Sequence, residues 1–276
     1  MYSIYHFFKS IVTNKEQFLK VKKLDEFQYN ETMLSCKSIG VFPDMAIKLN
    51  KDKSIFSGGE LIELKDSVTY SVSSFNSTIP SKTKQISKII SSTNSSIYKQ
   101  MENAGNEVFS LPEREVYYLV RGRKSGQTKI CLISGAFFET INIEKLINES
   151  FMQVLDESIK NSNAIITPEV KTFLHNLFSE QENFSKVRNV EKASVKLRFR
   201  IMTEVKSEGN ILNSKMYPEI IDNSLNLIIQ CDSNQQEINI LKKFNLVFNK
   251  KELNQFKIFK LKHHLNGFFL VFQLPL

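Results

Sequence analysis

Apolar residues along this chain recur with two periods, and the period decides which element each stretch predicts. Phe7, Phe8, Ile11, Phe18, Leu19 and Leu24 stand among Lys and Glu at near-helical spacing, which predicts an amphipathic helix. Ser38–Leu49 (SIGVFPDMAIKL) has apolar alternation without the helical period and predicts a strand. Asn50–Gly59 collects Asn, Asp, Lys, Ser and a Gly-Gly pair, a connecting loop. Glu60–Tyr70 (ELIELKDSVTY) predicts the returning strand of an antiparallel hairpin. From Ser71 to Ser96 the chain is rich in Ser, Thr and Lys, with Pro80 as its breaker. Within and beyond it, Ile86, Ile89, Ile90 and Ile97 predict a helix over Lys82–Met101, which the serines weaken by competing for backbone hydrogen bonds. Val116–Val120 and Lys129–Ile133 flank the turn RGRKSGQ and predict a second hairpin.

Two amphipathic helices follow, one carrying Ile143, Leu146, Ile147, Val154 and Leu155, the other Val170, Phe173, Leu174, Leu177 and Phe178. Thr167-Pro168-Glu169 opens the second with a cap residue, a first-turn proline and an acidic side chain. Val195, Leu197, Phe199 and Ile201 alternate with Lys196, Arg198 and Arg200, a strand with one apolar and one basic face. Leu225–Gln230, Asn245–Phe248 and Gly267–Leu274 also predict strands. The pattern is that of an α+β protein: a central mixed sheet flanked by helices, with additional strands in the C-terminal half. A polar stretch at Phe184–Glu191 suggests a boundary, giving a core over 1–185 and a β-rich region over 186–276 for recognition or dimerisation.

Composition changes the picture in only two respects. With 37 Lys+Arg against 29 Asp+Glu the net charge is +8, and this admits a polyanionic partner such as nucleic acid. Cys36, Cys131 and Cys231 are odd in number and far apart, and support neither a disulfide framework nor a zinc site. No run reaches the roughly 20 apolar residues of a spanning helix, and the first residues lack the features of a secretory leader. A soluble, cytosolic protein is expected.

Candidate chemistry gathers on the first hairpin. Pro43-Asp44 lies on its first strand and Glu63-Leu64-Lys65 on its second, with 18 residues between Asp44 and Glu63. The strand period of two puts Glu63 and Lys65 on one face, and Ile62, Leu64 and Glu60 on the other. Asp44 comes beside Glu63 if the register brings the strands level. Two carboxylates on a rigid sheet suit Mg²⁺, a hard cation that keeps several waters. A lysine beside such a water can orient it and steady a phosphate.

Pro43, Asp44, Glu63 and Lys65 resemble the motif of the PD-(D/E)xK nuclease superfamily, in which a Pro-Asp and a downstream Glu-x-Lys occupy adjacent strands of a mixed sheet. The resemblance covers residues 38–66, and extends to about 130 if Lys82–Met101 and Val116–Val120 are the helix and strand that usually follow. By chance a chain of this composition holds roughly three Glu/Asp-x-Lys triplets. Glu169–Lys171 and Glu204–Lys206 are the others, and neither has a Pro-Asp upstream or an apolar strand around it. The resemblance implies a restriction-endonuclease-like core and, by analogy with type II restriction endonucleases, a Mg²⁺-dependent, sequence-specific cleavage of double-stranded DNA by a homodimer. Asp44 and Glu63 would hold the metal and Lys65 would position the water.

Three basic features could track the phosphate backbone: Lys82, Lys84 and Lys88 after Pro80; Arg121, Arg123 and Lys124 in the second turn; and Lys196, Arg198 and Arg200 on the alternating strand. His263-His264 would point to opposite faces of a strand and reads as structural. Glu16, Glu26 and Glu31 are acidic residues before the hairpin, and nothing in the sequence selects one of them for the metal site. Two rival functions remain at this point: a structure-selective repair or junction nuclease, and a non-catalytic basic nucleic-acid-binding protein.

Overall fold

A computed structural model describes residues 3–52, 55–72, 74–75, 79–90, 92–139, 143–162, 167–179 and 203–276. The chain opens with α1 (Ile4–Thr13) and α2 (Lys15–Lys20), and then runs through β1 (Leu34–Lys37), β2 (Met45–Ile47), β3 (Leu61–Ser67), β4 (Ser74–Phe75) and β5 (Thr83–Gln85). Next come α3 (Ile86–Ile89), α4 (Ser96–Asn103), β6 (Glu113–Lys124), β7 (Gln127–Ser134), α5 (Ile143–Ser162), α6 (Pro168–Ser179) and β8 (Thr203–Glu204). The last part holds β9 (Ser224–Gln230), α7 (Asn234–Val247), α8 (Lys250–Leu253), β10 (Lys257–His263) and β11 (Gly267–Pro275).

Nine strands form one mixed sheet in the order β1-β2-β3-β6-β7-β9-β11-β10, with β5 pairing β6 off that path. β1, β2 and β3 are an antiparallel meander, β6 runs parallel to β3, and β9 runs parallel to β7. A parallel neighbour needs a crossover, and α3 and α4 lie in the segment linking β3 to β6. One face of the sheet is apolar: Ile62, Leu119, Leu132, Leu227 and Phe272 lie in a single buried cluster with Phe7, Phe8 and Ile11 of α1 and Ile240, Phe244 and Val247 of α7. The Phe244 and Phe272 rings stack with centroids 3.8 Å apart. The opposite face carries Glu63, Lys65 and Tyr118.

Contacts divide the chain into two compact units, and not at residue 185. The first holds Met1–Ser73, Ser81–Phe138 and Val205–Leu276; the second holds Ser74–Pro80 and Glu139–Glu204. The C-terminal strands β9–β11 belong to the same sheet as the first hairpin, because β9 docks along β7. In the second unit β4 pairs with β8, and Lys171 on α6 meets Asp156 on α5 at 2.6 Å.

Three expected elements take a different form. Lys82–Met101 is not one helix: β5 and α3 occupy its first part, and α4 starts afresh where Ser95 Oγ accepts the Tyr98 N–H. Ser95 therefore caps a new helix and does not continue the first. Asn245–Phe248 is not a strand, since Asn245–Val247 is the end of α7, whose Ile240, Phe244 and Val247 recur at helical spacing on the buried side. Most of Ser38–Leu49 is a turn, and only Met45–Ile47 is strand. The predicted strand over 195–201 lies outside the described residues. Cys36, Cys131 and Cys231 are buried and free. Among the described residues no helix is long and apolar enough to cross a membrane.

Glu60, just before β3, accepts the Ile4 N–H at 3.0 Å through Oε1, and its Oε2 is buried without a hydrogen-bond partner. Burial, helped by the nearby Glu115, raises its carboxyl from 4.5 to about 7. Ionisation then opposes folding, so stability is lost as pH rises from about 4.5 through about 7. Glu60→Gln keeps the acceptor and removes the charge. Its thermal midpoint should equal that of wild type near pH 4 and lie a few degrees above it at pH 8; equal midpoints at pH 8 would contradict this.

Candidate functional site

The site arises where β2 and β3 part. They pair only at Met45↔Ile62 and Ala46↔Leu61. Past that point the Leu64 N–H, on the edge of β3, donates instead to Asp44 Oδ2 at 2.8 Å. Asp44 is held there by the turn before it: the Ser38 N–H donates to the Asp44 carbonyl at 2.7 Å. Gly40 has φ +81°, a conformation that glycine adopts without the steric cost of a Cβ.

Glu63 and Lys65 share a face of β3, as the strand period requires, and Lys65 Nζ donates to Glu63 Oε1 at 3.0 Å. Glu63 is only 6% exposed, and its Oε2 is buried with no hydrogen-bond donor. Burial raises the Glu63 carboxyl to about 7, the facing Asp44 adds to the rise, and Lys65 opposes it. Asp44 is raised as well, by burial, against the pull of the Leu64 N–H and of Lys65. Two carboxylates forced together out of water resist double ionisation unless a cation joins them. The expected trio is thus assembled: Asp44, Glu63 and Lys65 converge.

This donor set fits a hard divalent cation. Asp44 and Glu63 supply carboxylate oxygens, and the orphaned Oε2 is an acceptor that a metal would satisfy. Among the described residues no group of three or more His, Cys, Asp or Glu side chains converges, so further ligands would be waters and substrate oxygens. Glu26 is used otherwise, accepting the Lys22 and Lys23 N–H groups.

Beside Asp44 lies an open cleft of about 550 Å³, walled also by Leu64 and Asp66 of β3, by Lys22 and Lys23 after α2, by Lys37 of β1 and by Arg123 of β6. Sequence reasoning missed the three lysines. They come from segments with no motif, and only the sheet order brings them to Asp44.

The expected basic residues are dispersed. Arg121 is not a surface cation: it is 1% exposed, its Nε and Nη2 donate to Asp66 Oδ1 and Oδ2 at 3.0 and 2.6 Å, and Nη1 and Nη2 also donate to the Val21 and Lys22 carbonyls at 3.1 Å. Its position on β6 explains this, since residues 117, 119, 121 and 123 share the face that packs on the core. Arg123 is half-buried at the cleft, and Lys124 is exposed. Lys84 is buried, whereas Lys82 and Lys88 are exposed. Lys82 lines a different pocket, with Glu60, Glu113 and Glu115. Lys196, Arg198 and Arg200 lie outside the described residues. His263 is buried, and its Nδ1 accepts the Leu265 and Asn266 N–H groups in the β10–β11 turn.

Comparison with protein-family models, with curated proteins and with solved structures finds no match.

Proposed function

We propose that this chain is a Mg²⁺-dependent DNA endonuclease of the PD-(D/E)xK type, hydrolysing phosphodiester bonds at Asp44, Glu63 and Lys65. The observation that carries the reading is the convergence of these three side chains at the point where an antiparallel strand pair parts. Further support comes from the elements around them. Asp44 immediately precedes β2 and Glu63 lies on β3, its neighbour in a mixed sheet, and a helix and a strand follow in α4 and β6. That succession is what the superfamily resemblance implies for the chain up to about residue 130.

Asp44 and Glu63 would hold the cation, which when bound supplies a water of lowered pKa and charge stabilisation at the scissile phosphate. The protein's own contribution is position and charge. The Leu64 N–H fixes the Asp44 carboxylate, which limits its reorganisation during reaction. Lys65, 3.0 Å from Glu63, favours the ionised form of that carboxylate against its burial and would present N–H donors to the attacking water and to a non-bridging phosphate oxygen. Glu63 is buried on β3 in register with Tyr118 of β6, and this burial limits its motion. A homodimer would place one such site on each strand of a twofold target.

The test is incubation with unmethylated phage DNA in Mg²⁺ and in EDTA. Discrete fragments that need Mg²⁺ support a sequence-specific enzyme of the restriction type. Cleavage confined to branched substrates would replace sequence selection by structure selection. Intact DNA on every substrate overturns the nuclease reading and favours a binding protein.

A further inference from the structure

The cleft beside Asp44 is lined by Lys22, Lys23, Lys37 and Arg123 and also by Asp25 and Asp66, yet three of its cations form no ion pair with them. Among the described residues no carboxylate oxygen lies within 4.0 Å of the ammonium groups of Lys22, Lys23 or Lys37. Arg123 has one distant partner, Asp66 at 3.6 Å, and that carboxylate is already bound by Arg121 at 2.6 Å. The buried Arg121 also explains how the lysines are presented. It draws the Val21 and Lys22 carbonyls inward, and Arg123 takes the Lys22 carbonyl as well at 3.0 Å. The backbone of this segment is thereby fixed from within, while the Lys22 and Lys23 side chains stand exposed at the cleft. Lys37 approaches from β1, its ammonium 5.6 Å from the Tyr29 ring centre.

Unpaired lysines from two separate elements therefore share a cleft with a carboxylate of the reacting trio. We infer that this cleft is the track for the DNA phosphate backbone next to the scissile bond, with Lys22, Lys23 and Lys37 as its phosphate contacts. The inference rests on the nuclease reading for what is bound. It assigns the binding to residues distinct from those of the chemistry. Contacts of this kind are sequence-independent: each displaces condensed counterions, so affinity falls with salt by a slope of about 0.9 per phosphate neutralised.

The experiment measures binding of a short fluorescent DNA duplex of random sequence by anisotropy, over a range of salt, with Ca²⁺ in place of Mg²⁺. The variants are Lys22→Ala/Lys23→Ala/Lys37→Ala and a control of equal charge, Lys250→Ala/Lys251→Ala/Lys257→Ala, at exposed positions outside the cleft. The cleft variant should lose about 3 from the salt slope and bind roughly tenfold more weakly at moderate salt; the control should change little. Because Lys37 also lies over Tyr29, Lys22→Ala/Lys23→Ala is the second variant, with an expected loss of about 2.

An unchanged slope, an equal loss in the control, or no binding by wild type overturns the inference, and tighter binding of an RNA duplex overturns its assignment to DNA. The two readings fail separately. Wild type that binds through the cleft and never cleaves in Mg²⁺ refutes the nuclease and retains the track. Cleavage with unaltered binding by the lysine variants refutes the track and retains the nuclease.

Discussion

Lys65→Ala and Glu63→Gln should each lower phosphodiester cleavage by at least about 100-fold while leaving the protein folded. The size of the effect follows from what each side chain does in its place. Lys65 is the cation that meets Glu63 in this site, at 3.0 Å, and its removal takes away a preorganised donor from the position where charge develops. Glu63→Gln keeps the shape and the Oε1 acceptor but removes the anion that would bind a metal. Glu63→Gln should not destabilise, whereas Lys65→Ala leaves the buried Glu63 carboxylate without its cation and should lower the melting midpoint at pH 8. The Glu63 carboxyl is raised to about 7 by burial and by Asp44, so near pH 8 its ionisation is a cost to folding that glutamine lacks. Single-turnover cleavage in Mg²⁺ beside a thermal melt at pH 8 measures both quantities. Cleavage within a few-fold of wild type in either variant would mean that the chemistry lies elsewhere.

The second large effect is on stability and lies at the buried pair of Asp66 with Arg121, a residue that sequence reading assigned to DNA. Asp66→Ala should cost about 3 kcal/mol, because it leaves the Arg121 guanidinium buried with carbonyls alone as partners. An exposed ion pair gives the contrast. Lys51 and Glu107 are also in contact, yet both are open to solvent, and Glu107→Ala should cost under about 1 kcal/mol. Denaturant unfolding of the two variants measures the difference. Comparable losses would show that Arg121 is satisfied by the Val21 and Lys22 carbonyls without its carboxylate.

Glu63 and Lys65 were legible in the sequence because the period of a strand is fixed: once Glu60–Tyr70 is read as strand, they must share a face, and the Pro43-Asp44 pair then pointed to Asp44 beside them. The same rule, applied to β6, places Arg121 with Tyr117 and Leu119 on the core side, and this was the available sign that Arg121 is internal. Reading residues 121–124 as a basic turn obscured it. The lysines of the cleft offered no such sign. Lys22, Lys23 and Lys37 become neighbours of Asp44 through the pairing of β1 with β2 and through the carbonyls that Arg121 gathers. Both are tertiary facts without a sequence period.

In the C-terminal half Leu225–Gln230 and Gly267–Leu274 are strands as expected, in β9 and β11, and one element was misread. Asn245–Phe248 contains enough apolar residues for a short strand, and only the longer run from Ser233, which caps α7 by accepting the Gln236 N–H, reveals the helix. That β9 and β11 complete the sheet begun by β1–β3 depends on the parallel pairing of β7 with β9, a long-range contact that local patterning does not encode.

The most direct test of the site is calorimetric titration of Mn²⁺, as a probe for Mg²⁺, into wild type, Asp44→Asn/Glu63→Gln and Lys65→Ala. A cation held by the two carboxylates requires a saturable heat in wild type and in Lys65→Ala that vanishes in the double variant. Equal heats in all three proteins, or none in wild type, would contradict a metal site at Asp44 and Glu63.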